Sequence, residues 1–138
     1  MNEEKFSGKA LLYKAYRPTY PDAMLDFLYD KIGFSANSTV ADIGAGTGIL
    51  TALLLARGVR KIYAVEPNAD MRKAADAELA DDPRYFAVDA AAEDTGLADS
   101  SVDFVTAAQA FHWFDKARFQ AECRRILKPD GKVIILYN

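Results

Sequence analysis

The stretch TVADIGAGTGILTALLLARGVRKIYAVEPN, residues 39–68, determines the fold that we expect for this chain. It opens with a short apolar strand from Thr39 to Ile43 and continues through three closely spaced glycines. A mainly apolar helical run follows from about Gly48 to Arg57, and a second strand runs from Lys61 to Val65. Strand, glycine turn, helix and strand in this order predict a βαβ unit with two parallel strands and a right-handed crossover.

The same alternation of short strands and helices continues on both sides of this unit. We predict these further elements: a helix from Pro21 that ends at Gly33, a helix opened by Pro67-Asn68, a strand from Arg84 to Val88, a strand from Val102 to Ala107, a helix capped by Asp115, and a strand from Lys132 to Tyr137 after a turn at Pro129-Asp130-Gly131. We therefore expect an α/β fold with a Rossmann-like, doubly wound, mostly parallel sheet. Its five strands would have the order 3-2-1-4-5, with helices on both faces. Ligands of such sheets bind beyond the carboxyl ends of the strands, where the strand order reverses.

Length and composition fit one globular domain over residues 1–138, with 51% hydrophobic and 27% charged residues. The net charge of −3 gives no electrostatic reason to expect a nucleic-acid partner. The single cysteine, Cys123, cannot form an internal disulfide, which favours a cytoplasmic setting. The N-terminus lacks a signal-peptide pattern and no apolar run approaches membrane-spanning length, so we expect no membrane partner, and the residues indicate no metal site.

The glycine turn from Gly44 to Gly48 and the acid Glu66 are the first candidates for a ligand site. Glycines let a chain turn sharply and let a ligand lie against bare backbone. An acid at the end of the second strand accepts hydrogen bonds from ribose hydroxyls in the general Rossmann arrangement. The alternative is that Glu66 only favours the positive N-terminus of the following helix. Its position behind the glycine turn favours the ribose role.

Asp42, two residues before the first glycine, indicates which nucleotide the turn would hold. Dinucleotide-binding turns follow G-x-G-x-x-G and place a pyrophosphate at the helix N-terminus. The spacing here is G-x-G-x-G, and Ile49 follows. A carboxylate at Asp42 would repel a pyrophosphate but would suit a cationic amino group, such as the one in S-adenosylmethionine. The charge therefore favours a methyltransferase over a nicotinamide-dependent oxidoreductase, which stays the alternative.

From about residue 13 to its end, the chain resembles class I S-adenosylmethionine-dependent methyltransferases, and in particular their small-molecule type 11 group. The segments that carry the resemblance are Tyr16-Arg17-Pro18-Thr19-Tyr20-Pro21, Asp42-Ile43-Gly44-Ala45-Gly46-Thr47-Gly48, Val65-Glu66-Pro67-Asn68 with Met71, Ala92-Glu93-Asp94 with Asp99-Ser100-Ser101-Val102-Asp103, Gln109-Ala110-Phe111-His112-Trp113-Phe114, and Arg125-Ile126-Leu127-Lys128-Pro129-Asp130-Gly131. The resemblance implies methyl transfer from S-adenosyl-L-methionine to a small molecule, such as a carboxylate or another polar metabolite. It also makes residues 1–20 an N-terminal lid or substrate segment.

The resemblance implies roles for single residues as well. The implied cofactor contacts are Asp42, Gly44, Ala45 and Gly46 for the methionine portion, Glu66 for the ribose, Pro67 and Met71 as walls of ribose and adenine, Asp89 as a further contact, Ala92 (through its backbone N–H) and Glu93 at the adenine edge, and Gln109 near the sulfonium.

Candidates for the chemistry itself lie near the expected position of the methyl group. His112, the only histidine in the sequence, would be either a general base or a residue that lines the pocket. Tyr16 and Trp113 would face the sulfonium or the substrate, with packing as the alternative. Arg17 would bind a carboxylate substrate, or would pair with a neighbouring acid.

The chain departs from the type 11 pattern at two places. Thr95-Gly96 stands where the pattern usually has Leu-Pro, and the sequence stops at Asn138, directly after the expected fifth strand. The family sheet normally continues with a helix and an antiparallel strand pair, so the strand 132–137 would form a hydrophobic edge. We expect a fragment of a longer protein or a homo-oligomer completed through this strand. A non-catalytic domain that binds the cofactor, or no ligand, and serves as an interaction module through this strand is a third interpretation.

Overall fold

A parallel sheet with the strand order β3-β2-β1-β4-β5 forms the centre of the molecule, whose structure is a computed structural model that describes residues 20–108 and 114–136. All four strand pairings are parallel. The strands are β1 (Thr39–Ile43), β2 (Lys61–Val65), β3 (Tyr85–Val88), β4 (Val102–Ala108) and β5 (Leu127–Leu136). The helices are α1 (Asp22–Phe27), α2 (Ile49–Arg57), α3 (Ala69–Leu79) and α4 (Lys116–Ile126). The predicted fold class and strand order are confirmed.

Apolar side chains cover both faces of this sheet. One core layer joins the first three helices to the sheet, and its members include Leu28, Leu54, Ala75, Val40 and Ile62. The other layer joins α4 to the opposite face, and its members include Phe119, Cys123, Ile126, Ala41 and Val105. This two-layer burial matches the expected helices on both faces. Within the described ranges, no helix combines the length and the apolar character needed to cross a membrane.

The predicted helix boundaries follow from local chemistry. α1 continues into a π-helical turn, Leu28–Ile32, and ends at Gly33 with φ of 108°, a left-handed conformation that suits glycine. The side chain of Asn68 accepts a hydrogen bond from the Met71 N–H at 2.9 Å and so caps α3. Asp115 caps α4 in the same way.

The end of the chain differs from the prediction at Pro129-Asp130-Gly131. These residues do not form a turn that precedes the strand, because β5 already begins at Leu127 and runs through them. Leu127 pairs with Val102 and Lys132 pairs with Phe104, so extra residues of β5 form a bulge between the two pairs. β5 is the end strand of the described sheet, as expected, and the side chain of Val133 is 38% exposed.

Candidate cofactor site

The glycine turn lies at the carboxyl end of β1, where the strand order reverses between β1 and β4. Gly44 and Gly46 have φ of 68° and 60°, a left-handed backbone that side chains rarely adopt. The N–H groups of Gly44 and Ala45 donate to the Val65 carbonyl at 2.8 and 3.1 Å, which fixes the turn against β2. The turn is therefore a fixed, bare stretch of backbone at the edge where ligands of this fold bind.

The carboxylate of Glu66 joins the glycine turn to the start of α3. Its Oε1 accepts a hydrogen bond from the Gly46 N–H at 2.8 Å, and its Oε2 accepts one from the Asn68 N–H at 3.0 Å. The side chain is 9% exposed and lies beside the turn. Since a carboxylate has about four acceptor positions, it retains positions for the two hydroxyls of a ribose.

The carboxylate of Asp42 lies buried at 1% exposure beneath the glycine turn. Thr51 of α2 donates a hydrogen bond to its Oδ2 at 2.7 Å, and Thr106 of β4 donates one to its Oδ1 at 2.9 Å. Burial raises the pKa of Asp42 to about 6, the two hydroxyls oppose that shift, and the charge of Glu66 adds to it. The group is thus an anion near neutral pH that two threonines from different elements hold in place.

Arg72 and Met71 of α3 complete the same edge. The guanidinium of Arg72 donates to the Glu66 carbonyl at 2.9 Å and to a carboxylate oxygen of Asp89 at 3.0 Å. The sulfur of Met71 would lie 3.7 Å from a Cβ added at Gly46. The structure therefore brings together Glu66, Met71 and Asp89 of the predicted contacts, although Asp89 is engaged by an arginine that the sequence did not single out.

The predicted adenine-edge residues lie in the connection between β3 and β4. This connection contains a tight turn in which the Asp94 N–H donates to the Ala91 carbonyl at 3.2 Å. Ala92 is buried in the core layer of α4, and Glu93 accepts a hydrogen bond from the Asp115 N–H at 3.4 Å. Ala92 thus lies in the core layer that includes α4, and Glu93 lies beside the start of that helix, while their contacts with adenine stay predictions.

Five predicted site residues fall outside the described ranges. They are Tyr16, Arg17, Gln109, His112 and Trp113. Their predicted roles in cofactor binding, substrate binding and catalysis stay predictions.

Comparison with known proteins decides the family. The model of the family described as "Methyltransferase domain" matches residues 41–135, well over half of the chain. The chain belongs to this methyltransferase domain family. An uncharacterized methyltransferase of Mycobacterium tuberculosis is 40% identical over 133 residues, which are 96% of this chain and 51% of that protein. One from Schizosaccharomyces pombe is 32% identical over 126 residues, 91% of this chain and 49% of that protein.

Solved structures of methyltransferases share the fold of this domain. A candidate S-adenosyl-L-methionine-dependent methyltransferase of Methanococcus maripaludis superimposes with a TM-score of 0.81 at 25% identity, over 98% of this chain and 62% of that one. The geranyl diphosphate C-methyltransferase of Streptomyces coelicolor gives a TM-score of 0.72 at 21% identity, over 84% of this chain and 45% of that one, which shows likeness of fold alone. The methyltransferase domain spans about half the length of the curated relatives described above. The family assignment removes the nicotinamide-dependent oxidoreductase as an alternative.

The third glycine of the turn has a packing role that the sequence did not reveal. A Cβ added at Gly48 would lie 3.0 Å from Cδ1 of Leu79 and 3.1 Å from Cβ of Ala75, both on α3. Gly48 also has φ of 85°, so a side chain there would be strained as well as crowded. In this methyltransferase domain Gly48 therefore lets α2 and α3 approach each other, while Gly44 and Gly46 present bare backbone.

A cleft of about 480 Å³ opens at the amino ends of β1 and β4, on the side of the sheet away from the glycine turn. Its lining includes Asn37 and Ser38 before β1, Asp103 at the start of β4 and the β5 bulge. Asp103 is already engaged there, because it accepts from the Thr39 N–H at 2.8 Å and pairs with Lys128 at 3.3 Å. The chemistry predicted for the domain lies at the other edge, so the size of this cleft does not identify the site.

Proposed function

We propose that this domain binds S-adenosyl-L-methionine at the glycine turn and supports transfer of its methyl group to a small-molecule acceptor. The observation that carries the proposal is the carboxylate of Asp42, buried beneath bare glycine backbone and held by two hydroxyls. An anion in this position favours a ligand with a positive charge and disfavours the pyrophosphate of a dinucleotide.

The residues of the turn fit this cofactor. Gly44 and Gly46, both with positive φ, have no Cβ and so leave bare backbone where the methionine portion would lie. Glu66 is held by two backbone N–H groups, so its carboxylate is pre-oriented for ribose hydroxyls. Pro67 and Met71 would wall the ribose and adenine, and Ala92 and Glu93 would meet the adenine edge.

The cofactor, when bound, supplies an electrophilic methyl group on a sulfonium, and the protein supplies position and electrostatics. Asp42 contributes a negative charge in a water-poor place, where electrostatic attraction exceeds that in bulk solvent. Thr51 and Thr106 favour the ionised form of this carboxylate by donating hydrogen bonds to it. Gln109 stays a candidate contact near the sulfonium and His112 a candidate base, both on the resemblance of their segment to the family.

The acceptor stays a small molecule of polar character in this proposal. Tyr16, Arg17 and Trp113 are its candidate contacts, and a carboxylate on the acceptor would suit Arg17. Because the chain spans about half of its curated relatives, acceptor choice in a longer protein would also involve residues beyond this domain. The geranyl diphosphate enzyme, crystallised with S-adenosyl-L-homocysteine, is one member of this fold that binds the cofactor product.

Binding of S-adenosyl-L-homocysteine tests the cofactor assignment. A ligand that binds only the folded domain, at about a hundred times its dissociation constant, raises the free energy of unfolding by about 2.7 kcal/mol. We expect this product to raise the thermal midpoint and a nicotinamide dinucleotide to leave it unchanged. Asp42→Asn and Glu66→Gln should abolish the shift, whereas Asp81→Asn, at an exposed position after α3, should retain it.

Two other outcomes would change the proposal. A shift with the nicotinamide dinucleotide alone, or a full shift in Asp42→Asn and Glu66→Gln, would refute the cofactor site. Binding of the product together with no methyl transfer to any acceptor of a broad panel would favour the non-catalytic module. Sedimentation velocity on the wild-type chain and on Val133→Lys tests the further proposal of a homo-oligomer through β5, since a lysine at that edge should disrupt association.

A further inference from the structure

The connection between β3 and β4, residues 89–101, carries the proposed adenine-edge residues but has little regular structure to define its shape. Its described secondary structure is the single bridge between Ala91 and Asp94. A segment without ladder hydrogen bonds takes its conformation from side-chain contacts and from the elements on which it packs. What fixes this connection therefore decides where the Ala92 N–H points.

Four residues fix the connection to α4, and we call them the Glu122 cluster: Thr95, Asp99, Glu122 and Arg125. Oε2 of Glu122 accepts hydrogen bonds from the Thr95 N–H at 2.8 Å and from the Thr95 hydroxyl at 2.7 Å. Arg125 donates to both oxygens of Glu122 at 2.8 Å and to Asp99 at 2.7 Å. Glu122 and Thr95 are 8% and 3% exposed, so the centre of the cluster is shielded from water.

The geometry of the cluster suits a rigid attachment rather than a loose surface ion pair. A carboxylate that accepts four hydrogen bonds and pairs with a guanidinium in two places has little freedom to move. The main chain adds to this, because the Ser100 N–H donates to the Arg125 carbonyl at 2.9 Å and the Ser101 N–H donates to the Ile126 carbonyl at 2.8 Å. These bonds attach the part of the connection that follows the turn 91–94 to α4.

The residue at position 95 is one of the places where the chain departs from the type 11 pattern. A leucine there would offer no hydroxyl to Glu122, whereas Thr95 uses its hydroxyl to donate to Glu122 and to accept from the Leu97 N–H at 3.1 Å. Thr95 therefore joins the end of the adenine-edge turn to the following residues and to α4 at once.

We propose that Thr95, Glu122 and Arg125 are positioning residues that hold the turn 91–94 so that the Ala92 N–H meets the adenine edge. This inference rests on the proposed cofactor site. Adenine accepts a hydrogen bond at N1, whereas hypoxanthine carries a proton on that atom and cannot accept there. A fixed Ala92 N–H therefore selects adenine over hypoxanthine, and a site that loses a fixed donor loses that discrimination.

The test compares the affinities of S-adenosylhomocysteine and S-inosylhomocysteine by titration calorimetry. A general loss of stability affects both ligands alike and leaves their ratio unchanged. We expect Thr95→Val and Arg125→Gln to lower the adenine preference roughly tenfold. Thr95→Ser keeps the hydroxyl and should restore the preference. Arg124→Gln, the same change at an exposed neighbour on the same helix, should leave it at the wild-type value.

A second measurement needs no ligand and keeps the outcomes separate. Native-state hydrogen exchange compares the Asp94 N–H, bonded within the turn, with the Gly44 N–H, bonded to β2. We expect Thr95→Val to speed exchange at Asp94 and not at Gly44. If the wild type binds S-adenosylhomocysteine and Thr95→Val keeps the full adenine preference, the positioning role is refuted. If the wild type binds neither ligand, the cofactor proposal fails, and unchanged exchange at Asp94 would then refute the positioning role independently.

Discussion

Replacing Asp42 with asparagine tests whether an ionised carboxylate is held beneath the glycine turn at a cost to stability. The asparagine side chain has nearly the same shape as the aspartate, and Thr51 and Thr106 would still have an oxygen and an amide to bond. The variant therefore removes the charge and its titration while leaving the packing of α2 on β1 and β4 largely unchanged.

The magnitude follows from the pKa of the group. Burial raises the pKa of Asp42 from 3.8 to about 6, with Glu66 adding to the shift and the two threonine hydroxyls opposing it. The difference of about two units corresponds to about 3 kcal/mol between the folded and unfolded states. Because the folded chain binds this proton more tightly than the unfolded chain, the ionised form destabilises the fold above pH 6. That cost disappears as the pH falls from 6 towards 3.8.

Urea unfolding of the wild type and of Asp42→Asn over a series of pH values measures this effect. Groups that do not interact with Asp42 contribute equally to both proteins, so the difference in their free energies of unfolding reports the titration of Asp42 together with its coupling to the charge of Glu66. The free energy of unfolding of the variant minus that of the wild type should be about 2–3 kcal/mol larger at neutral pH than at about pH 4. Asp81→Asn, at an exposed site, should follow the wild type throughout.

A difference that stays constant across that pH range would refute the reasoning. It would mean that Asp42 ionises in the folded state as easily as in the unfolded state, so that the buried position does not hold a costly charge. A difference of opposite slope would show that the threonine hydroxyls outweigh burial. In either case Asp42 would still be ionised at neutral pH, so the argument from burial would fail while the charge proposed to attract the cofactor would remain.

Three further predictions concern packing and titration elsewhere in the domain. Gly48→Ala should lower the free energy of unfolding, measured by urea titration, by about 2–4 kcal/mol, because the alanine would combine a left-handed backbone with crowding against Ala75 and Leu79. A loss of less than about 0.5 kcal/mol would contradict the role of Gly48 in helix packing. Paired arginine and threonine donors lower the pKa of Glu122 to about 2, so its stabilising contribution should be full above pH 4.5 and should disappear towards pH 2; acid unfolding of Glu122→Gln should lack that component. Burial raises the pKa of the Cys123 thiol to about 12, so thiol reagents should modify it only after unfolding, and rapid labelling of the native domain would contradict that.

The elements of this fold were largely predictable because their signals are local. The strand Thr39–Ile43 and the strand Lys61–Val65 were predicted with the bounds that the structure shows. Asp115 was predicted as a helix cap from residues close to it in sequence. Periodicity and capping depend on neighbours within about one helical turn, so they can be read without knowledge of the fold. The β5 bulge could not be read in this way, because it depends on pairing with β4.

The candidate site was predictable in its residue types but not in its internal contacts. Asp42 and Glu66 stand out in the sequence because the motif brings them near the glycine turn. The hydroxyl of Thr106, 64 residues from Asp42 along the chain, reaches the same carboxylate only because β4 pairs with β1. Arg72 likewise reaches Asp89 across 17 residues, after α3 has folded back along the sheet.

The sequence by itself determined the order of strands and helices, the glycine turn and the acid at the end of the second strand. Only the tertiary structure decided which groups donate hydrogen bonds to the two buried carboxylates. Thr51 and Thr106 donate to Asp42, and Thr95 and Arg125 donate to Glu122. The physical reason is the range of the interactions. Backbone preferences act between near neighbours, whereas a buried carboxylate draws its partners from whichever elements the fold packs around it.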